Sequence, residues 1–259
     1  MERKTGTGGE CMRFDGISPA DLSPKLFVAR EVISPIPPRS VRMVGTSRQS
    51  YLAGVDISPR EVRLHLNVAG RSHANANELA QRVAAWLCRT ELAEYEPTHM
   101  PGKALSVILQ SASDPEWHWG FGVIEYAFVA PRPYLHSVSE TVAVGDAHVY
   151  IEPRGTVPCA PTIEHRLAAD TEVLTISVSS GGSAASQVMA IRDPYGNPLP
   201  AGIHVSVDFA RRLLQINGAA ALQYIDYTAS DWHPEITGGT LITISDAGDT
   251  TVRWRDEWM

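Results

Sequence analysis

Hydrophobic positions recur with two different periods along the chain, and the helical period predicts one long helix. It lies in the segment SHANANELAQRVAAWLCRTELAEY (72–95), whose alanines raise the helix propensity further. The apolar positions of this helix are Leu79, Val83, Trp86 and Leu87, with Ala76 and Ala80 extending the stripe. Asn75 and Glu78 resemble an N-terminal capping pair. We expect the Leu/Val/Trp face to pack on a sheet.

Most other segments alternate with period two, which predicts β-strands. REVRLHLNVAG (60–70) is the clearest, with one apolar face and one polar face. The apolar face consists of Val62, Leu64, Leu66 and Val68, and the polar face of Glu61, Arg63, His65 and Asn67. A long aromatic strand follows in GFGVIEYAFVA (120–130). Asn217-Gly218 predicts a tight hairpin, and the final strands predict a second hairpin around residues 246–249.

These elements predict a mainly β protein with two domains. The long aromatic strand ends at two prolines, Pro131 and Pro133, and the single long helix precedes it. We expect an N-terminal β domain with one helix over residues 12–135 and a C-terminal β-sandwich over residues 136–259. Residues 1–11 are polar and glycine-rich, so we expect a flexible N-terminal segment.

Charge and hydropathy exclude several classes of protein. The formal net charge is −7 and no basic run occurs, which disfavours nucleic-acid binding. No stretch of eighteen apolar residues occurs, so we expect no membrane insertion. The N-terminal residues lack the apolar core of a secretory signal. Cys11, Cys88 and Cys159 are too widely spaced for a metal clip, and Cys88 is expected to be a buried thiol on the helix.

Two short clusters carry the residue types of an active or metal site. In DWHPE (231–235) an aspartate, a histidine and a glutamate lie close together, but turn-forming residues flank them on both sides. A zinc site needs three or four converging ligands, which one such strip does not supply. We therefore interpret DWHPE as a turn between strands, with Trp232 under the edge of the sandwich and His233 exposed.

The second cluster, DPEWHW (114–119), begins with a turn-forming Asp-Pro pair and continues into the long aromatic strand. We expect Trp117 and Trp119 to pack at the start of that strand. The alternative is a carbohydrate-stacking platform, because a tryptophan face suits a sugar ring. Motifs of serine hydrolases, zinc proteases, dinucleotide-binding and phosphate-binding loops are absent from the sequence. We therefore assign no catalytic, cofactor-binding or metal-binding residue, and carbohydrate-binding residues remain unknown.

Read in order, several segments resemble the distal tail protein (Dit) family of long, non-contractile-tailed bacteriophages. MRFDGIS (12–18) is similar to the family's opening strand, and REVRLHLNVAG to the arginine-led strand before the helix. The helix ending in Trp-Leu is followed by a segment around a proline, AEYEPTHMPGKAL (93–105), as in the family. The Asn-Gly hairpin and the final aromatic-rich strands are similar to its C-terminal pattern. The exit Pro131-Arg132-Pro133-Tyr134 departs from the commoner Asp-Pro-Tyr type.

The resemblance implies a structural protein, not an enzyme, without cofactor, at the virion tail tip and made in the host cytoplasm. It implies that the N-terminal domain assembles into a ring, typically a hexamer, and that the C-terminal domain is a galectin-like sandwich outside it. The ring would join the tail tube protein to the tail hub and to receptor-binding proteins, and DNA would pass through its centre without specific binding.

Two other classes of protein remain open from the residues alone. A carbohydrate-binding module would need an exposed aromatic platform, such as Trp117 with Trp119 or Tyr224 with Tyr227. A wall-degrading hydrolase would need two carboxylates facing each other across a cleft. The acidic aspartates at 193, 208, 226 and 231 do not single out such a pair.

Overall fold

The structure, a computed structural model, describes residues 11–45, 50–118, 120–180, 186–232, 234 and 236–259. The chain forms a mainly β protein that divides into two compact units. Unit 1 extends to Val138 and includes Met259, and unit 2 covers Ser139–Trp258. Of the segment 1–11 that is expected to be flexible, only Cys11 lies within the described residues.

Among its described residues, unit 1 contains ten strands and two helices. The strands are β1 (Arg13–Phe14), β2 (Leu26–Ile33), β3 (Arg39–Gly45), β4 (Ser50–Ile57), β5 (Arg60–Ala69), β6 (Ala93–Glu96), β7 (Lys103–Ala112), β8 (Glu116–His118), β9 (Phe121–Ala130) and β10 (Leu135–Ser137). The helices are α1 (Pro19–Leu22) and α2 (His73–Leu87). The main sheet has the order β1-β6-β7-β9-β5-β2, with β8 on β9 and β10 on β7, and its pairings are antiparallel.

Helix α2 covers one face of this sheet with the predicted stripe. Ala76, Leu79, Val83, Trp86 and Leu87 are buried, and the helix contacts β5 and β9. The sequence misplaces its start. The N-cap is Ser72, whose hydroxyl accepts a hydrogen bond from the backbone N–H of Asn75 at 3.3 Å, so Asn75 lies inside the first turn. The apolar face predicted for β5 is also confirmed, because Val62, Leu64, Leu66 and Val68 are fully buried.

The main sheet of unit 1 is curled, so that strands far apart in its order approach each other. Tyr95 on β6 donates a hydrogen bond to the carboxylate of Glu31 on β2. The backbone N–H of Thr98 donates to the other oxygen of Glu31 at 3.1 Å. Aromatic rings fill the space inside the curl, where Phe128 lies 5.6 Å from Phe14 and 5.9 Å from Tyr95. Burial of these rings supplies much of the stabilisation of unit 1.

Unit 2 is a sandwich of two antiparallel sheets. Its described strands are β11 (Thr141–Gly145), β12 (His148–Ile151), β13 (Thr162–Arg166), β14 (Leu174–Ser180), β15 (Ser186–Ile191), β16 (His204–Asp208), β17 (Leu213–Ile216), β18 (Ala219–Ala220), β19 (Thr240–Ile244), β20 (Asp249–Trp254) and β21 (Glu257–Trp258), with a 3-10 helix at Leu222–Tyr224. One sheet has the order β11-β20-β13-β16-β17-β18 and the other β12-β19-β14-β15. Buried side chains from both sheets form one core.

One of the two predicted hairpins in unit 2 is confirmed and the other is wrong. Asn217 and Gly218 both have positive φ, 50° and 79°, and join β17 to β18 as a tight turn. By contrast, the residues 245–248 do not join a hairpin, because β19 belongs to one sheet and β20 to the other. This segment is a corner between sheets, held by the buried side chain of Asp246.

Candidate interaction surface

Strands β3 and β4 form a separate two-stranded sheet, here called the arm hairpin, which pairs with no other strand of the described chain. Alternation along the strands and one bulge divide its side chains between two faces. One face is apolar. It carries Val41, Met43, Leu52, Val55 and Ile57, with exposed fractions of 58%, 57%, 63%, 46% and 39%.

The opposite face of the arm hairpin carries Ser40, Arg42 and Asp56, together with Val44, which is 64% exposed. Arg42 forms an ion pair with Asp56 at 2.9 Å, and Ser40 lies opposite Asp56 in the register. Both charged side chains are exposed, so the pair contributes little to stability. A lone two-stranded sheet is marginally stable in water, and contiguous exposed apolar side chains mark an interaction site. The arm hairpin therefore has the composition of a docking element.

A groove of about 630 Å³ lies beside the root of the arm hairpin, on the sheet face that α2 does not cover. Its lining is Arg30, Val32, Ile33, Ser34, Pro35, Pro38, Glu61, Arg63, His65 and Glu125. Arg63 lies 2.8 Å from Glu61 and 3.9 Å from Glu125, and its hydrogen bond lowers the pKa of the Glu61 carboxyl. Since Arg63 is paired with both carboxylates, the groove does not offer the free acid and base that glycoside hydrolysis needs.

Of the DWHPE cluster, the described residues Asp231, Trp232 and Pro234 lie outside helices and strands, in agreement with the turn interpretation. The ring of Trp232 is half-buried and packs edge-on against Phe209 at 6.0 Å, beside the core of unit 2. The backbone N–H of Asp231 donates to the carbonyl of Val188 at 2.8 Å. His233 and Glu235 lie outside the described residues. Among those that are described, no group of three potential metal-ligating side chains occurs.

In the DPEWHW cluster, Trp117 packs inside unit 1. It lies opposite Gly122 on β9, and a Cβ atom at Gly122 would come within 2.6 Å of its ring. Its other neighbour is His73, with ring centroids 5.0 Å apart. Both contacts agree with the aromatic-packing interpretation of Trp117. Trp119 lies outside the described residues, so the proposed pair of tryptophans is not described as a whole.

The second aromatic pair considered as a platform, Tyr224 and Tyr227, does not form a matched surface. Tyr227 is 62% exposed, whereas Tyr224 is partly buried against the unit 2 core. Tyr224 instead lines a pocket of about 480 Å³ together with Arg192 and Gln223. Arg192 in that pocket is paired with Asp226 at 3.0 Å.

A buried polar network, not predicted from the sequence, lies at the corner between the sheets of unit 2. His165 lies 3.0 Å from Asp246 through Nε2 and 2.9 Å from the hydroxyl of Thr250 through Nδ1. A hydroxyl, an imidazole and a carboxylate in this order resemble a catalytic triad. However, their exposed fractions are 0% for Thr250, 1% for His165 and 6% for Asp246, so a substrate cannot reach the hydroxyl. The network holds strands together.

The backbone completes this network. Asp246 Oδ2 accepts hydrogen bonds from the N–H groups of Ala168 at 2.7 Å and Gly248 at 2.8 Å. Burial raises the pKa of the Asp246 carboxyl, but the donors from Ala168, His165 and Gly248 outweigh it and hold the pKa below its usual value. A side chain at Gly248 is excluded, because its Cβ would lie 1.8 Å from the carbonyl oxygen of Arg166.

One buried charged side chain of unit 1 has no hydrogen-bond partner among the described residues. Arg60 is 1% exposed, and none of its guanidinium nitrogens has a hydrogen-bond partner among the described residues. Burial lowers the pKa of this guanidinium.

The expectation of a buried thiol at Cys88 is wrong: α2 ends at Leu87, and Cys88 at the C-cap is exposed. Cys159 is the buried cysteine, and burial raises the pKa of its thiol to about 12.

No helix of the described chain is long and apolar enough to cross a membrane. Residues 154–258 match the family model of the siphovirus-type tail component, C-terminal domain. The chain is also similar to the SPP1 Dit protein, described as a paradigm of the hub adsorption apparatus in phages that infect Gram-positive bacteria. That match has a TM-score of 0.78 at 12% identity and covers 96% of this chain and 99% of that chain.

Two baseplate structures are more distant. The phage P2 baseplate in its activated conformation with Ca matches at a TM-score of 0.49 and 9% identity, over 90% of both chains. The phage p2 baseplate with Sr matches at 0.44 and 10% identity, over 88% of this chain and 90% of that chain. Neither score supports an argument about the fold. A comparison with curated proteins gives no match.

The matched C-terminal domain is that of a structural component of siphovirus-type bacteriophage tails. Residues 154–258 match the C-terminal domain of the siphovirus-type tail component (Dit) family, and the chain has the fold of the SPP1 Dit protein. The expected family, the mainly β fold and the structural role are thereby confirmed.

Proposed function

We propose that the chain forms a closed ring, a hexamer, that joins the tail tube to the tail hub at the virion tail tip. The observation that carries this proposal is the similarity of nearly the whole chain, both units included, to a hub protein. A ring closes when each subunit offers one projecting surface and one receiving surface, related by a rotation. The arm hairpin and the groove are two such surfaces in unit 1.

The two units take different roles in this proposal. Unit 1 forms the ring, and unit 2 is the galectin-like sandwich on the outside, where receptor-binding proteins attach. The tail tube protein and the tail hub or tail-associated protein are the partners on the two faces of the ring. The chain is made in the host cytoplasm and enters the virion by assembly.

The charge of the chain suits a conduit for DNA. With a formal net charge of −7, the ring repels phosphates and lets the genome pass without specific binding. The proposed role is not enzymatic. Two observations support this within the described residues: the triad-like network is buried, and both carboxylates of the groove are paired with Arg63.

Sedimentation velocity of the full chain over a wide concentration range tests the proposal, because mass action decides the observed state. We expect assembly toward six subunits, and rings with a central opening by electron microscopy. A chain that stays monomeric at the highest concentration, and tails that contain no ring of it, would contradict the proposal. Binding of a glycan array by such a monomer would favour the carbohydrate-binding alternative.

A further inference from the structure

We infer that the edge strand β11 of unit 2 is a docking site for an extended, positively charged segment of another protein, which adds to the sheet as a further strand. The inference goes beyond the proposed ring, because strand addition at β11 requires only a folded unit 2. Strand β11 lies before residues 154–258, so the family match assigns it no role.

Strand β11 is the outermost strand of its sheet, and among the described strands it pairs only with β20. The ladder runs from Thr141 opposite Trp254 to Gly145 opposite Thr250 without a bulge. On its other side, the backbone groups of β11 have no hydrogen-bond partner within the described part of the chain. Such a row of unpaired N–H and C=O groups is a template for another strand.

The other three sheet edges of unit 2 differ from β11. The free side of β15 is covered by the segment 224–231, in which the backbone N–H of Asp231 donates to the carbonyl of Val188 at 2.8 Å. Strand β18 has two residues, and short strands make poor templates. Strand β12 presents the polar rings of His148 and Tyr150. By contrast, β11 contains no charged residue, proline or bulge, the features by which natural sheets block an open edge.

The exposed side chains of β11 suit an apolar partner strand. Val142 is 46% exposed and Val144 is 74% exposed, whereas Ala143 between them packs against the core of unit 2. The two valines therefore lie on the outer face of the sheet. Addition of a strand would bury apolar surface on this face and pair the free backbone groups at the same time.

Charge at the two ends of β11 selects among partners. Glu140 and Asp146 flank the strand, both are exposed, and neither forms an ion pair within the described residues. Residues 133–153 contain three acidic residues and no lysine or arginine. Arg253 on the neighbouring strand β20 is already paired with Glu164 at 3.3 Å. A basic partner is therefore favoured, and a second copy of β11, which carries the same carboxylates, is disfavoured.

The spacing of these groups defines the partner further. Glu140 and Asp146 are six positions apart and share the alternation of the two valines. In an extended chain all four side chains lie on one face, across about 20 Å. The complementary segment has a basic residue at each end and two apolar residues at alternate positions between them. The peptide fluorescein-Lys-Thr-Val-Thr-Val-Thr-Lys-amide has this pattern and serves as the probe.

The test measures the fluorescence anisotropy of this peptide with the full chain at low ionic strength. We expect saturable binding with a Kd below about 1 mM. Amide hydrogen exchange at residues 141–145 should slow in its presence, because the added strand pairs their backbone groups. Replacing both lysines of the peptide by glutamates should weaken binding at least about tenfold. N-methylation of its central backbone nitrogens removes the N–H donors and should abolish binding.

A matched pair of variants tests the edge from the side of the protein. Val144→Lys places a like charge on the docking edge and should weaken binding at least about tenfold. The control is Val173→Lys, the same change at another exposed valine of unit 2, and its Kd should stay within about twofold of the parent. Both variants should keep the thermal unfolding profile of the parent chain, because they replace exposed side chains.

Failure to saturate, or equal binding of the N-methylated peptide, overturns strand addition. Exchange that slows only at strands other than β11 overturns the site. A glutamate peptide that binds as tightly as the lysine peptide overturns the charge of the partner. Self-association of the full chain that Val144→Lys abolishes would make a second copy the occupant and would also overturn the inference. The number of subunits in the ring is measured separately by sedimentation, so failure of the ring leaves these results unchanged.

Discussion

His165 and Asp246 lie 3.0 Å apart inside unit 2, Nε2 to Oδ2, with exposed fractions of 1% and 6%. His165 is on β13, whereas Asp246 is in the corner where the chain leaves one sheet for the other. A polar pair at this depth has a large desolvation cost, which only its full set of hydrogen bonds offsets. Substitutions at this corner should therefore be destabilising.

Asp246→Ala should lower the free energy of unfolding by about 3 kcal/mol, because the variant leaves buried donors on His165, Ala168 and Gly248 without their acceptor. Chemical denaturation followed by fluorescence measures it. Asp249→Ala, at an exposed residue nearby, is the control and should change stability by no more than about 0.5 kcal/mol. Equal losses in both variants would contradict the assigned role of Asp246.

The Asp246 carboxylate should make the free energy of unfolding depend on pH in the acidic range. Its folded pKa lies below the unfolded value of about 3.9, so the unfolded chain takes up the proton first as pH falls. The stabilisation from Asp246 is thus fully present above the unfolded pKa and is lost as pH falls through the folded pKa. Melting temperatures between pH 6 and about pH 3 should fall more steeply for the parent chain than for Asp246→Asn. Parallel curves would contradict this prediction.

Leu87→Asp should prevent unit 1 from folding, because Leu87 is fully buried between α2 and the sheet and a carboxylate there has no partner. Ala85→Asp introduces the same charge on the exposed side of the helix and should remain folded. Solubility and circular dichroism separate the two variants. A soluble Leu87→Asp chain with an unchanged melting profile would show that the helix is oriented otherwise.

Trp232→Ala should lower the free energy of unfolding by about 2 kcal/mol, less than for a fully buried tryptophan, because half of its ring packs against Phe209 and the core. Tyr195→Ala removes a ring that is 88% exposed and should cost little. Thermal unfolding of both variants makes the comparison. A Trp232 variant as stable as the Tyr195 variant would show that the DWHPE segment does not contribute to the sandwich.

Arg60→Met should raise the free energy of unfolding by about 1 kcal/mol, because it replaces a buried guanidinium that has no partner among the described residues with an apolar side chain of similar length. Arg63→Met, which removes an exposed guanidinium, should have little effect. Denaturant midpoints provide the measurement, and a destabilised Arg60 variant would mean that the guanidinium has an acceptor after all.

The elements that could be predicted from the sequence are those whose hydrophobic pattern is local. The stripe of α2 and the alternation of β5 follow from periodicity, since one covered face decides each residue type. The Asn217-Gly218 turn follows from backbone chemistry, because both residues adopt positive φ at low cost. Trp117 and Trp232 pack as expected, because large aromatic rings favour burial.

What could not be predicted depends on residues distant in sequence. Nothing local distinguishes the Asp246 corner from a hairpin turn, because its partner His165 lies on another strand. The alternation in β3 and β4 would predict an ordinary buried face. Only the sheet order shows that this face lacks a cover among the described residues. Cys88 was misplaced because one residue past the helix end is enough to rotate a side chain out of the stripe.

The corner at Asp246 connects a strand of one sheet to a strand of the other, and this affects when unit 2 can fold during synthesis on the ribosome. Strand β20, which follows the corner, takes an interior place between β11 and β13, where Ile163 pairs with Val252. Strand β12 likewise pairs with β19, which is synthesised about ninety residues later. Because one sheet needs β19 and the other needs β20, the sandwich closes only after residues 240–254 have been made, and its high contact order favours slow folding. Each nascent chain therefore exposes unpaired strand edges until β19 and β20 emerge, and neighbouring copies are prone to aggregate in that interval.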